Sequence, residues 1–208
     1  MSDTLTDIRK ECQGGSRHSL EYERRMLHRV PDAPSVDRVQ YIVDACRGKT
    51  VLHCGCLGQG SPVDLHGELL KAAYEAYGID RDCGPGVNVA VDFDDVPDRM
   101  PGRRWGIDLV LVPELLEHLT NPGRFLRSLH IYHCPILITV PNAFSAIGAR
   151  HIARGVENVH REHVAYYSYW TLHRLVTQTG YVVEDFCWCH GEPRTAEGLL
   201  VIARGSDE

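Results

Sequence analysis

A chain of 208 residues with 43% hydrophobic and 24% charged side chains has the size and make-up of one globular α/β domain with a short extension. Its formal net charge of -6 argues against broad binding to a phosphate backbone, so nucleic acid is disfavoured as partner or acceptor. No apolar run approaches the ~18–20 residues of a membrane span, and Met1-Ser2-Asp3-Thr4 opens without a signal-peptide core, so the expectation is no membrane partner and a cytoplasmic location.

Residues 1–17 are polar, carry Gly14-Gly15-Ser16 and read as a loose segment or lid. Leu20 to Val30 suits a short helix, punctuated by Pro31-Asp32-Ala33-Pro34. Ser35 is the expected cap of a second helix, with Val36, Val39, Ile42, Val43 and Ala45 as its apolar face and Gly48 as its stop. Residues 1–47 are thus expected to form an N-terminal extension, followed by a domain over 48–208.

Thr50 to Cys54 reads as the first strand and runs into clustered glycines at 55, 58 and 60. Glycines there let the backbone turn sharply and leave no Cβ between it and a ligand. A helix over Val63 to Ala76 and a strand over Tyr77 to Asp80 follow. Asp80 is an acid at a strand end about twenty residues past the glycine cluster, suited to accept hydrogen bonds from ribose hydroxyls. The pair points to a nucleoside-containing cofactor; a tight turn with no ligand is the plainer alternative.

Strands are then expected over Val87 to Val91 and Asp108 to Val112, the latter an apolar run typical of a buried parallel strand. Asn121-Pro122 opens a helix to about His130, with proline at a favourable early position. Pro135 to Val140 is a fifth strand, and Ser168 to Thr179 a helix closed by Gly180. Tyr181 to Cys189 and Leu199 to Ala203 are final strands with no helix between them, so an antiparallel hairpin is expected. The alternation predicts an α/β doubly wound, Rossmann-like, mostly parallel seven-stranded sheet with a C-terminal antiparallel hairpin.

Eight cysteines, several inside apolar runs, fit buried free thiols in a reducing compartment. Cys187-Trp188-Cys189-His190 has a zinc-like look, but strand alternation puts the two thiols on one face and His190 on the other.

Together these motifs resemble the class I S-adenosylmethionine-dependent methyltransferases over roughly residues 48–203. Val51 to Gly60 is similar to the family's glycine-rich first motif, and Val91-Asp92-Phe93 to the segment that meets the adenine. Asp108 to Leu119 and Asn121 to Leu126 resemble the fourth-strand motif, and Leu137 to Asn142 the fifth. Glu162-His163-Val164, Tyr166-Tyr167-Ser168 and Leu172 resemble the segment before the penultimate strand. The resemblance implies S-adenosyl-L-methionine as cofactor, held by Gly55, Gly58, Gly60, Asp80, Asp92, Phe93 and Glu114. Three departures stand out: His53 replaces a usual acid, Leu57 widens the glycine spacing, and Glu114 follows Pro113 where a small or polar residue is common. The His after Val51-Leu52 and the Leu65-His66 pair resemble a subgroup associated with cell-surface glycan gene sets.

The implied activity is methyl transfer, with oxygen of a small molecule or glycan as the expected acceptor. An acceptor hydroxyl needs a nearby base, and imidazole suits this near neutral pH. His163 is the first candidate for that catalytic role and His118 the second, with His160 in the same stretch; fixing loops by hydrogen bonds is the plainer alternative for each. On a helical turn, Glu114, Glu117 and His118 would share one face and, with His163, could hold Mg²⁺ or Mn²⁺. Some methyltransferases with a similar Glu-x-x-Glu-His motif use a metal in this way. Tyr166, Tyr167, Tyr169 and Trp170 can line a pocket, although Trp170 is expected to anchor its helix in the core. Competing readings are an NAD-dependent oxidoreductase, for which the order Gly55-x-x-Gly58-x-Gly60 is wrong, and an inactive cofactor-binding or scaffold protein, which His53 keeps open. Oligomeric state is not legible.

Overall fold

A computed structural model describes residues 28–58, 63–95, 100 and 105–206. Gly60, the loop 1–17, and Arg24 and Arg25 of the first expected helix lie outside the described residues. The chain separates into two compact units, 1–31 and 32–208.

The second unit begins with a two-residue strand, β1 (Ser35–Val36), and helix α1 (Arg38–Cys46). Ser35, expected as the helix cap, instead lies in β1, where its hydroxyl donates to the Gly191 carbonyl. Asp37 caps α1 because its carboxylate reaches the Gln40 amide at 2.9 Å. Residues 32–47, expected within an N-terminal extension, thus pack as part of the main unit: β1 joins the sheet edge and Ile42 and Cys46 enter the core.

The order continues β2 (Thr50–Cys54), α2 (Leu65–Ala72), β3 (Glu75–Asp80), β4 (Val87–Ala90) and β5 (Leu109–Pro113). α2 is shorter than the expected 63–76 because Ala73 is already extended and the Tyr74 and Glu75 amides bond to the Lys49 carbonyl. After β5 comes a 3-10 turn (Leu116–His118), then α3 (Pro122–Ser128), which Asn121 caps through the Arg124 amide, and a second 3-10 turn (Leu129–Tyr132). β6 (Ile136–Pro141) leads to α4 (Ala146–Ile152), a helix the sequence reading did not anticipate. α5 (Tyr169–Gln178) starts in a Ser168–Thr171 capping box, and β7 (Tyr181–Cys189) and β8 (Gly198–Gly205) close the chain.

The strands form one sheet in the order β1-β7-β8-β6-β5-β2-β3-β4. β2 pairs in parallel with both β3 and β5, while β8 runs antiparallel between β6 and β7. This is the expected doubly wound sheet with its terminal hairpin, with eight described strands where seven were expected; the addition is β1. Its two residues carry too short a pattern to announce a strand, and pairing with Trp188 and Cys189 creates it.

Side-chain alternation divides the central strands between two cores. Val51, Leu109, Leu111, Leu137 and Leu200 point into one face with Ile42, Leu65 and Leu69 of α1 and α2. Leu52, Cys54, Val110, Val112, Ile138 and Val201 point into the other with Phe125 and Leu126 of α3 and Leu172 and Val176 of α5. Cys187 and Cys189 are buried in the first core. Trp170, expected in the core, is 37% exposed; Tyr169 packs against the core in its place, because the second position of α5 turns outward.

Candidate active site

The chain lays down β2, β3 and β4 in one direction and then returns to place β5 on the other side of β2. Loops leaving two neighbouring strands in opposite directions open a crevice at their carboxyl ends, where ligands of such sheets bind. The crevice here is about 370 Å³ and is lined from Gly55 and Gly58 after β2, Asp80 ending β3, Asp92 and Phe93 after β4, and Glu114, Leu115, Glu117, His118 and Leu119 after β5. His160, Glu162 and His163 complete its wall. A pocket of this size is in the range that holds small ligands and cofactors.

Gly55 and Gly58 have φ of 74° and 62°, a region side chains disfavour. A Cβ on Gly55 would stand 3.3 Å from Leu115 Cδ1, whereas one on Gly58 would meet nothing within 4 Å. The backbone at Gly58 is therefore open to close approach by a ligand. Asp80 is almost buried; its carboxylate accepts the Leu57 amide at 2.8 Å and the Asp82 amide at 3.2 Å. Those bonds tie the glycine turn to the β3 end. A carboxylate with about four lone-pair sites still has acceptor capacity after them.

Asp92 lies at the crevice with its Oδ1 taking the Asp94 amide at 3.0 Å. Phe93 lines the crevice but is 4% exposed and packs edge-on against Phe125, so most of its ring belongs to the core. Asp94, which the sequence reading did not single out, accepts the Thr120 and Asn121 amides and so holds the start of α3 against the crevice.

Glu114 has φ of 47°, which turns the chain out of β5. Its Oε1 accepts the Thr139 hydroxyl at 2.9 Å and pairs with the Arg38 guanidinium at 3.0 Å. Arg38 thereby links α1 to the crevice, a contact no local motif announces. The expected helical face of Glu114, Glu117 and His118 does not form: Glu114 is left-handed and, after Leu115, residues Leu116–His118 form a 3-10 turn. Glu117 is instead 2% exposed, with both carboxyl oxygens lacking a hydrogen-bond partner. Burial and the neighbouring Glu114 carboxylate push its carboxyl well above the usual carboxylate range.

His118, His160 and His163 converge. Ring centroids are 4.6 Å apart for His118–His163, 5.5 Å for His160–His163 and 5.8 Å for His118–His160. The backbone holds them there, since the Val164 amide bonds to the Glu117 carbonyl at 2.8 Å and the His163 amide to the His160 carbonyl at 3.0 Å. Burial lowers the His163 pKa, helped by His118 and His160, and burial then His160 lower that of His118, so both rings favour the neutral form. A second cleft of about 310 Å³ shares Glu114 and His163 with the crevice and is lined by polar side chains including Asn142, Ser145, Asn158, Tyr166 and His190.

His53, at the position of the usual acid, is fully buried, and its Nδ1 lies 3.2 Å from Nδ1 of His66 on α2. The pair crosses from β2 to α2 beneath the glycine turn, and His66 in turn packs on Gly78 and Gly86. Burial, then His66, pulls His53 down to about 3, and burial also lowers His66. An unfolded histidine titrates near ~6.5. The unfolded chain therefore takes up protons that the folded one refuses, and this part of the stability, full above that pH, is lost as pH falls toward 3. Urea melts at pH 7 and pH 5 should show the wild type losing roughly 2 kcal/mol more than His53→Asn; equal losses would remove the pair from the account of acid lability.

No family model and no curated protein matches the sequence. Among solved structures, the small RNA methyltransferase HEN1 superposes with a TM-score of 0.62 at 15% identity, over 88% of this chain but 27% of that one. Magnesium protoporphyrin IX methyltransferase from Synechocystis PCC 6803, with bound SAH, gives 0.57 at 13% identity over 97% of this chain and 100% of that one. The 1,6-didemethyltoxoflavin-N1-methyltransferase of Burkholderia thailandensis, bound to 1,6-didemethyltoxoflavin and S-adenosylhomocysteine, gives 0.58 at 16% identity, over 81% and 77%. The chain has the fold of the class I S-adenosylmethionine-dependent methyltransferases.

Proposed function

We propose that the chain is an S-adenosylmethionine-dependent methyltransferase acting on a hydroxyl of a small-molecule or glycan acceptor. The observation that carries this reading is one crevice, at the switch point of a methyltransferase fold, with an acid-and-glycine wall on one side and imidazoles on the other. The acidic wall suits the nucleoside end of the cofactor, and the open backbone at Gly58 suits its close approach. Gly55, Gly58, Asp80, Asp92 and Glu114 are the proposed cofactor contacts, with Gly60 proposed from the motif alone; Phe93 contributes an edge.

When bound, the cofactor supplies a methyl group already activated on a sulfonium, which leaves positioning and proton removal to the protein. Asp80 orients the ribose through its remaining lone pairs, while its bonds to the Leu57 and Asp82 amides keep the carboxylate aimed. Glu114, clamped by Arg38 and Thr139, sets the exit of β5 and the boundary between crevice and second cleft. That cleft receives the acceptor; its amide, hydroxyl and imidazole groups suit a ligand rich in hydroxyls. His163, shared by both cavities, takes the acceptor proton at an imidazole nitrogen, and His118 packs against it. Both rings favour the neutral form, which is the form a base needs.

Calorimetric titration with S-adenosylmethionine, S-adenosylhomocysteine and NAD⁺ tests the reading. Binding of the first two, with a Kd of about 1–100 μM and no heat with NAD⁺, is expected, as is typical of enzyme–substrate affinities. Binding of NAD⁺ alone, or of none of the three, would sink it.

A further inference from the structure

We infer that the segment between β6 and α5 seats this protein on an anionic lipid bilayer, with the mouth of the second cleft turned to the lipid headgroups. Phe144 is 71% exposed, Ile152 62%, Val164 61% and Val156 57%. Apolar side chains scattered singly over a surface need no explanation, but these fall in one stretch of chain. α4, inside that stretch, buries none of its residues. Ala146, Ala149 and Ile152 are exposed and three positions apart, with exposed Ala153 just past the helix end, so the outward side of α4 is apolar.

The same stretch is basic. From Pro141 to Val156 it carries Arg150, His151 and Arg154 and no acid, in a chain of formal net charge -6. Arg150 and Arg154 are exposed, and neither forms an ion pair among the described residues. Of the two acids that follow, Glu157 accepts the Tyr166 hydroxyl at 2.8 Å and Glu162 belongs to the wall of the first crevice.

Apolar side chains beside unpaired arginines are the make-up of segments that lie in a lipid interface. Anionic headgroups supply the partners that Arg150 and Arg154 lack, and each cation near such a surface strengthens binding. The spacing of the apolar side chains favours lipid over protein. Fluid acyl chains close round projecting side chains at any spacing, whereas a second protein must offer a pocket for each. Among the described residues no helix is long and apolar enough to cross a membrane, so the contact is with the surface only. Lying on a surface needs no long apolar run, and the lack of one in the sequence does not oppose it.

Position gives the contact a use. Phe144 stands between Ala143 and Ser145, and Val164 follows His163; Ala143, Ser145 and His163 line the second cleft. The apolar side chains therefore alternate with the polar wall of the cleft and form its rim. A cleft of amide, hydroxyl and imidazole groups that opens among headgroups suits a hydroxyl-bearing lipid headgroup as acceptor. That use of the cleft rests on the methyltransferase reading; binding to the bilayer does not.

The test is co-sedimentation of the full chain with vesicles of phosphatidylcholine alone or with about a third phosphatidylglycerol. Binding to the anionic vesicles is expected, with much weaker binding to phosphatidylcholine and a loss as salt rises. Arg150→Gln with Arg154→Gln should weaken binding about 10–30-fold, from roughly fivefold per cation. Phe144→Ser with Ile152→Ser should weaken it by at least about tenfold. Leu70→Ser with Tyr74→Ser, an exposed apolar pair elsewhere, should bind as the wild type does. All six positions are exposed, so thermal melts should not change. No sedimentation with anionic vesicles, binding indifferent to the first two double variants, or an equal loss in the third would overturn the proposal. So would a dimer in analytical ultracentrifugation that Phe144→Ser with Ile152→Ser makes monomeric, because the face would then belong to a second copy. Calorimetry with S-adenosylmethionine on the same proteins separates the two ideas: cofactor binding without vesicle binding removes only the membrane contact, and vesicle binding without cofactor binding removes only the methyltransferase reading.

Discussion

Replacing Asp80 with alanine is expected to weaken binding of S-adenosylmethionine and S-adenosylhomocysteine by about 10²–10³-fold. The carboxylate ends β3, is 9% exposed and is held by two loop amides. Hydrogen bonds to a charged acceptor contribute about 1.5–3 kcal/mol each, and two ribose hydroxyls make roughly 3–4 kcal/mol, which is that range of affinity at ~1.4 kcal/mol per decade. The alanine variant also frees the Leu57 amide and loosens the glycine turn, so Asp80→Asn is the companion measurement. It keeps the shape and one acceptor oxygen and should lose about tenfold. Calorimetry decides: affinities within threefold of wild type for both variants would remove Asp80 from the cofactor site.

His163→Ala should act on turnover instead. General base catalysis contributes about 10²–10⁴-fold, and loss of that order in methyl transfer is expected while cofactor affinity stays within a few-fold of wild type. The pH profile distinguishes the role from mere support of the loop. Burial and the flanking His118 and His160 hold His163 below the ordinary histidine value. In the wild type, kcat/KM should therefore rise with pH through a pKa below ~6.5 and level off near neutrality. The variant should lack that rising limb. Radiolabelled methyl transfer to an acceptor returned by a screen of polyols, sugars and phenols gives the readout, and a variant with wild-type turnover would retire the assignment.

The two substitutions probe opposite walls of the crevice, and the walls were not equally legible. The glycine turn and Asp80 lie close in sequence, on one βαβ unit, so spacing alone related them. The imidazole wall is different. Forty-one residues of chain, two helices and a strand separate His118 from His160, and only the docking of the 164–165 amides on Glu117 brings the rings together. The local motif instead suggested a helical face of Glu114, Glu117 and His118. A residue with φ of 47° and a 3-10 turn broke that face, and a motif written in letters carries no dihedral angles.

Strand boundaries behaved in a similar way. The mostly apolar runs at 50–54, 109–113 and 136–141 came through within a residue or two, because a strand buried on both faces carries apolar side chains at most positions. β1 was missed because two residues have no period, and its existence depends on Trp188 and Cys189, more than 150 residues away. Arg38 belongs to the same class, being drawn to Glu114 by a fold that sets α1 against the sheet.

From its sequence alone, then, this protein had its doubly wound architecture, its terminal hairpin and the acid-and-glycine wall of its crevice, since these follow from local periodicity and short-range spacing. Tertiary structure alone decided the other wall: the trio of histidines, the unpartnered Glu117 and the Arg38–Glu114 clamp. Each of those depends on where distant segments meet, and contact between distant segments is settled by packing in three dimensions.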